Sequence, residues 1–317
     1  MKRYDVTALG ELLIDLTQNG MSEQGNPILE ANPGGAPCNV LACLSKLGHK
    51  SAFIGKVGKD GFGEQLAAGL VETGISTEGL MYDADVHTTL AVVHTYADGD
   101  RDFSFYRNPG ADMMLKAEEV NEDMIRNSRI FHFGSLSMTD EPCRSAHLHA
   151  LKVAEEAGVL RSYDPNLRPP LWPSLDVAKE NILELMGHCD ILKISDNEIQ
   201  WLSGKEDYDE GIAWLRSRFD IPLIFLTLGK DGSRAYCGDV RVEVPGFKLN
   251  TIETTGAGDT FFGSVLHHIL TLGFRPYTGE ELRDMLRFAN AAAALVTTRR
   301  GALRVMPSEA EILDVMA

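Results

Sequence analysis

Cysteine is scarce in this chain. Cys38, Cys43, Cys143, Cys189 and Cys237 form an odd set with no Cys-x-x-Cys spacing, which argues against a disulfide scaffold or a zinc knuckle and fits a reducing, cytoplasmic setting. Long apolar runs are missing too. No stretch reaches the ~18 apolar residues of a membrane span, and Asp5, Glu11 and Asp15 interrupt the N-terminal apolar residues, so neither a span nor an export signal is expected. Positive charge is in deficit: 30 Lys and Arg against 46 Asp and Glu give a net −16. That balance disfavours nucleic acid or anionic lipid as a partner, while a charged small substrate stays open through local residues.

Several site patterns are absent as well. No Gly-x4-Gly-Lys-[Ser/Thr] occurs, because each Gly-Lys is followed by Val57, Asp60, Glu206 or Asp231, and no Gly-x-Gly-x-x-Gly follows a strand. A P-loop and a dinucleotide fingerprint are therefore excluded. His147 and His149 lie two apart and His267 and His268 are adjacent, so neither pair shares a helix face as zinc ligands would. The lack of Gly-x-Ser-x-Gly removes the hydrolase elbow.

What is present is an α/β pattern. With 44% apolar and 24% charged residues, the 317-residue chain has the composition of a globular protein with a full core. Short β-branched runs at Val6 to Leu9, Ala52 to Ile54, Ile130 to Phe133, Val159 to Tyr163, Ile191 to Ile194 and Leu223 to Leu228 read as buried parallel strands. Glu141 to Ala157 and Ser174 to Gly187 are long enough to be crossover helices. The alternation predicts one large, open, doubly wound sheet with ligands at the carboxyl ends of its strands. Leu12 to Ala31 and Thr88 to Tyr106 break the pattern; the second reads as strands Thr89 to Thr95 and Phe103 to Tyr106 around an Asp98-Gly99-Asp100 turn. Together they predict a small β flap over one edge.

Two glycine-rich turns stand out. Glu253-Thr254-Thr255-Gly256-Ala257-Gly258-Asp259 runs into a helix whose apolar residues Phe262, Val265, Leu266, Ile269 and Leu270 follow helical spacing. The unpaired first amides and the dipole of such a helix make an anion site. Asp259 beside it reads either as an N-terminal cap or as a base next to a reacting phosphoryl group. Asn32-Pro33-Gly34-Gly35-Ala36-Pro37-Cys38-Asn39 leads into a second helix with Val40, Leu44 and Leu47 on one face and Gly48 as its stop. It is either a plain turn, or a place where Gly34 and Gly35 let the backbone approach a ligand while Asn39 offers an amide to hydroxyls.

The segments Gly34 to Asn39 and Gly55 to Gly63, together with Thr254 to Phe261, resemble the two signatures of the ribokinase-like (PfkB) carbohydrate kinases. The resemblance runs from Gly10 to about Gly301. Within the family, Phe105 to Met113, Asp164 to Pro173 and Leu192 to Glu198 are most similar to fructokinases. It implies one ribokinase-like domain over 1–317, a mostly parallel sheet flanked by helices, and lid segments at about 12–31 and 88–110. The implied reaction is transfer of the γ-phosphoryl group of ATP to the 6-hydroxyl of fructose, with Asp259 as base and the amides of Gly256, Ala257, Gly258 and Asp259 as the anion hole.

The resemblance also implies residue roles. Asp15, at the end of the first strand, with Gly34, Gly35, Asn39, Arg107 and Arg168, would bind sugar, although either Arg also reads as a surface ion pair. Lys193, Thr227, Gly229 and Gly232 would bind nucleotide. Asn290 reads as an adenine neighbour or as packing in an Ala-rich helix. Glu198 would serve Mg²⁺ through water, since the ion keeps several waters, and Ser195, where the family has Asn, departs from the side chain expected to contact phosphate. Glu253, where the family usually has Asp, and Thr255 would lie at a K⁺ site whose use is weak or altered. A homodimer through the lid fits the family. Alternatives are a kinase for ribose, a keto-deoxy acid or a nucleoside, and a catalytically silent sugar- or nucleotide-binding regulator.

Overall fold

The computed structural model describes residues 2–95 and 101–317. Asp98-Gly99-Asp100, the expected turn, lies outside the described residues. The chain opens with β1 (Tyr4–Leu9), then β2 (Leu13–Met21) and β3 (Pro27–Gly34), and enters α1 (Ala36–Lys46). Pro37 occupies the first turn of α1, where its missing N–H costs nothing. There follow β4 (Ser51–Gly58), α2 (Gly61–Glu72), β5 (Ser76–Asp83), β6 (Leu90–Thr95), β7 (Arg101–Tyr106) and the short α3 (Glu122–Arg126).

The second half alternates strictly at first. β8 (Ser128–Phe133), α4 (Cys143–Glu156), β9 (Leu160–Tyr163), α5 (Leu175–Met186), β10 (Ile191–Ser195), α6 (Asp196–Ser203), α7 (Tyr208–Arg216) and β11 (Leu223–Thr227) lead to a hairpin, β12 (Ser233–Cys237) and β13 (Val240–Val244). Three helices close the chain: α8 (Ala257–Leu272), α9 (Gly279–Val296) and α10 (Glu309–Met316). The Ser174 hydroxyl accepts the Val177 N–H and caps α5.

Among the described residues the main sheet has nine strands in the order β13-β12-β11-β10-β9-β8-β1-β4-β5. The six expected strands are there and pair in parallel. β5 extends the sheet in parallel, and β12 and β13 extend it antiparallel at the other end. Alternate side chains serve opposite cores, as a period of two requires. Val6, Phe53, Ile191 and Phe225 pack with residues of α1, α8 and α9, whereas Leu9, Ile54, Leu192 and Leu226 pack with α4, α5 and α6. The order reverses at β1, so the carboxyl ends of β1, β9, β10 and β11 open on one crevice.

The second sheet has four strands, β3-β2-β6-β7, with β2 and β6 parallel and the outer pairs antiparallel. One expectation needs correction. Asp15 does not end the first strand of the main sheet; β1 stops at Leu9, and Asp15 sits in β2, opposite Asn32 of β3. The chain leaves the main sheet at Gly10, where only glycine fits, since a Cβ there would stand 2.5 Å from the Pro37 ring.

Candidate active site

Two cavities meet at the amino end of α8. The first, about 390 Å³, is lined by Thr227, Gly229 and Gly232 from the β11 end, by Phe247 and Leu249, and by Asn290, Ala293 and Ala294 from α9. The second, about 350 Å³, is lined by Glu11, Asp15, Gly35, Asn39, Arg107 and Arg168, with Asn166 and the lid residue Phe105. Thr254, Ala257, Gly258 and Lys193 belong to both walls, while Asp259 lines only the second. Lys193, Thr227, Glu11, Asn39 and the α8 residues lie at or beyond carboxyl ends of strands or at helix starts, as the switch-point rule requires, while Asn290, Ala293 and Ala294 come from the last turns of α9.

The wall between the cavities is built for an anion. Gly256 caps α8 in the left-handed conformation, at φ 77°, and Asp259 lies in the first helical turn. First-turn amides have no acceptor within the helix. The amide of Ala257 is turned to Thr254 O at 3.3 Å, so those of Gly258 and Asp259 are the better placed donors. Lys193 reaches the same wall, with its Nζ 3.0 Å from where a Cβ on Gly258 would stand. It is buried and bonded to both oxygens of Asp164, at 2.9 and 3.1 Å. Burial works against its charge, but Asp164 and Glu198 more than offset that and hold its pKa above the ordinary value.

The sugar-sized cavity concentrates carboxyls. Burial pushes Asp15 up to about 7, with Arg168 pulling the other way and Glu253 and Asp259 adding to the rise. Burial likewise takes Glu11 up to about 7, although its carboxylate accepts the Ala36 N–H at 2.8 Å. Burial also raises Asp259; the Asn39 amide at 2.7 Å, Lys193 and Arg168 restrain it. The Gly34-Gly35 turn is needed for close approach. A Cβ on Gly34 would sit 2.2 Å from Asp15 Oδ2, and one on Gly35, at φ 125°, 2.4 Å from Glu11 O. Gly34 thus seats Asp15 without itself lining the cavity.

Other expected residues have partners of their own. Arg107 is no surface ion pair: its buried guanidinium donates to Asp112 at 2.7 Å, Thr139 Oγ1 at 2.9 Å and Leu136 O at 3.1 Å. Three of its five N–H donors are spent there. Asn290 lines the nucleotide-side cavity, but its Oδ1 accepts from Ser233 and its Nδ2 donates to Val244 O and Pro245 O. Glu198 lines neither cavity. It accepts from the amides of Leu167 and Ser195 and from the Ser195 hydroxyl; despite burial, Lys193 and these bonds hold its pKa down.

Glu253 accepts the Thr255 hydroxyl at 2.7 Å and the Gly301 amide at 3.2 Å. No cluster of three or more His, Cys, Asp or Glu fit to hold a metal occurs among the described residues. A Mg²⁺ ion that arrives on phosphates keeps several waters and asks for few protein oxygens, which Glu198 can serve through water.

Glu11 and Asn166 were not expected in the site. Asn166 is the one non-glycine residue with positive φ, 48°, among the described residues, and Asp-Pro-Asn in the sequence was a signal for such a turn. Phe247, Leu249, Ala293 and Ala294 carry no signal that separates them from core.

The pfkB family carbohydrate kinase model matches residues 4–309. The chain is 43% identical over 313 residues to a probable fructokinase-4 of Arabidopsis thaliana, covering 98% of this chain and 96% of that one. It is similar to the crystal structure of fructokinase with bound ATP from Xylella fastidiosa, with a TM-score of 0.89, 30% identity and coverage of 99% and 98% of the two chains. It is also similar to a double mutant of fructokinase from Vibrio cholerae O395 in a fructose-, ADP- and potassium-bound form, with a TM-score of 0.89, 28% identity and full coverage of both chains. On the family match and the near full-length relative, this chain belongs to the pfkB family of carbohydrate kinases.

Proposed function

We propose that this chain is an ATP-dependent fructokinase, giving fructose 6-phosphate and ADP. One observation carries the reading: the amino end of α8 is a wall shared by two cavities, and the Asp259 carboxylate projects only into the one lined by hydroxyl-binding side chains. The relatives named fructokinase, one bound to ATP and another to fructose and ADP, supply the two occupants.

Asp259 takes the proton of the fructose 6-hydroxyl as that oxygen bonds to the γ-phosphorus. The bond from γ-phosphorus to the bridging oxygen breaks, and its electron pair leaves with ADP. The amides of Gly258 and Asp259, with Lys193, stabilise the charge spread over the transferred group. Asp15, Asn39 and Arg168 hold the sugar, and Arg107 lines the same cavity. Thr227, Gly229, Gly232 and the Asn290 helix face hold the nucleotide. Glu198 would hold a Mg²⁺ ion through water, and the ion would offset phosphate charge. Glu253 and Thr255 would hold K⁺, and the longer Glu side chain would weaken that use.

The lid strands β2 and β6 close over the sugar and keep water from the phosphoryl group. Exposed Met21, Ile28 and Leu29 near the β2–β3 tip support a homodimer paired through the lid. The five buried, free cysteines support a cytoplasmic setting. Among the described residues no helix is long and apolar enough to cross a membrane.

A coupled ADP-release assay over fructose, mannose, ribose, a keto-deoxy acid and a nucleoside tests the reading. Fructose should give the highest kcat/KM. A higher value for another sugar would reassign the substrate, and no sugar-dependent ADP would leave the silent regulator.

A further inference from the structure

Asn39 holds more than one hydrogen-bonding task. Its Nδ2 donates to Asp259 Oδ2 at 2.7 Å, while its Oδ1 is buried and accepts no hydrogen bond among the described residues. The residue is only 3% exposed, so an unused acceptor there is costly unless something fills it. It lines the sugar-side cavity, and a hydroxyl donor from the substrate is the group that would fill it.

The fold fixes this amide from two directions. Glu11 accepts the Ala36 N–H and so ties down the start of α1, one turn before Asn39. The two helices also approach closely. A Cβ on Gly263 of α8 would lie 2.7 Å from Cys43 Cβ and 3.1 Å from Val40 O of α1, so only glycine permits this spacing. Asn39 therefore meets Asp259 through a packed helix pair, and Asp259 Oδ1 has no hydrogen-bond partner among the described residues.

Resting on the fructokinase reading of the same site, we propose that Asn39 is a positioning residue for the base: one amide group fixes Asp259 Oδ2, leaves Oδ1 to take the substrate proton, and offers its own oxygen to a sugar hydroxyl. Sugar binding and base orientation are then read by one side chain. A residue that only bound sugar would change KM alone.

The other groups facing Asp259 are Asp15 from β2, Asp164 and Arg168 beyond β9, Lys193 from β10 and the Cys43 thiol from α1. None of them donates a hydrogen bond to its carboxylate among the described residues. Removing the Asn39 donor thus leaves the carboxylate with charges nearby but no hydrogen-bond donor.

The test is a carbon-13 carboxyl NMR titration of Asp259 in the ligand-free protein, assigned with Asp259→Asn, comparing wild type with Asn39→Ala. The midpoint should rise by about one pH unit, the size expected when one charge-assisted hydrogen bond is lost. An unmoved midpoint overturns the proposal, whatever sugar the enzyme uses. Should Asn39→Ala not fold, the near-isosteric Asn39→Leu reads the same point, since it fills the space of the amide, adds no charge and donates no hydrogen bond; an unmoved midpoint there overturns the proposal equally.

Kinetics give the independent arm. In Asn39→Ala the acid limb of kcat/KM, which reports the free enzyme, should move up in step with the NMR midpoint, as KM for fructose rises. A raised KM with an unmoved limb overturns the proposal. Absence of wild-type turnover on any sugar would instead fail the functional reading, with the titration still deciding this one.

Discussion

On one side of the α8 amino end Phe247, Leu249, Phe261, Ala293 and Ala294 form a broad apolar wall beside four glycines; on the other stand Glu11, Asp15, Asn39 and Arg168. The nucleotide side adds the shared Lys193, exposed Lys230, Asp196 and Asn290, whose amide is already spent on the protein. The sugar side offers oriented charge, and burial drives two of its carboxyls up to about 7. A flat aromatic base with a charged tail can be held by apolar contact and helix amides, whereas a sugar must be told from its epimers by directed hydrogen bonds. Buried polar groups left unpaired by a wrong sugar are what make such discrimination steep.

The largest expected effect comes from Lys193, one of the residues both sides share. Lys193→Met should strip the buried Asp164 of its partner, lowering stability by roughly 3–5 kcal/mol as well as abolishing most activity. Denaturant melts of Lys193→Met and of Lys193→Met with Asp164→Asn separate the two losses. The double variant should regain stability and stay inactive; recovered activity would remove Lys193 from phosphoryl transfer.

A smaller effect should fall on one side only. Asp15→Asn is expected to raise KM for fructose about 10- to 100-fold, the range for a lost hydrogen bond to a charged group, and to leave KM for ATP within about twofold. Steady-state kinetics with each substrate varied checks this. The same variant probes stability. Because Glu11 and Asp15 have folded pKa values near 7, above the ~4 of an unfolded carboxyl, the folded state binds their protons more tightly. That contribution is complete below about pH 4 and lost as pH rises through about 7. The loss should therefore be spread over about pH 4 to 7, so that the Tm of ligand-free Asp15→Asn declines less across that window than that of the wild type; parallel curves would contradict the burial argument.

The smallest effect concerns Glu253, behind the shared wall. Activity should be nearly equal with and without K⁺, and Glu253→Asp should gain K⁺ activation. Strong K⁺ activation of the wild type would refute this.

Much of this contrast was legible in the sequence because it rests on glycine turns before helices, and those turns have few conformational options. The six buried strands were legible from their β-branched runs. The place of Asp15 was not, since nothing in Leu9-Gly10-Glu11 distinguishes a continuing strand from one that leaves for a second sheet. β5, β12 and β13 were missed because mixed polar residues, as in Ser76-Thr77-Glu78, blur the apolar run of an edge strand. On the nucleotide side, Ala293 and Ala294 look like packing whether they face core or ligand. Glu11 escaped notice because its role depends on Ala36, 25 residues away.

The central claim is that a phosphate gripped by the α8 amides lies next to a carboxylate that accepts the alcohol proton. Asp259→Asn, assayed for fructose-dependent ADP release beside calorimetric binding of ATP, tests it most directly. The account predicts ATP affinity within about twofold of wild type and kcat reduced by at least ~10²–10⁴, the usual worth of general-base help. Turnover near the wild-type rate would contradict it.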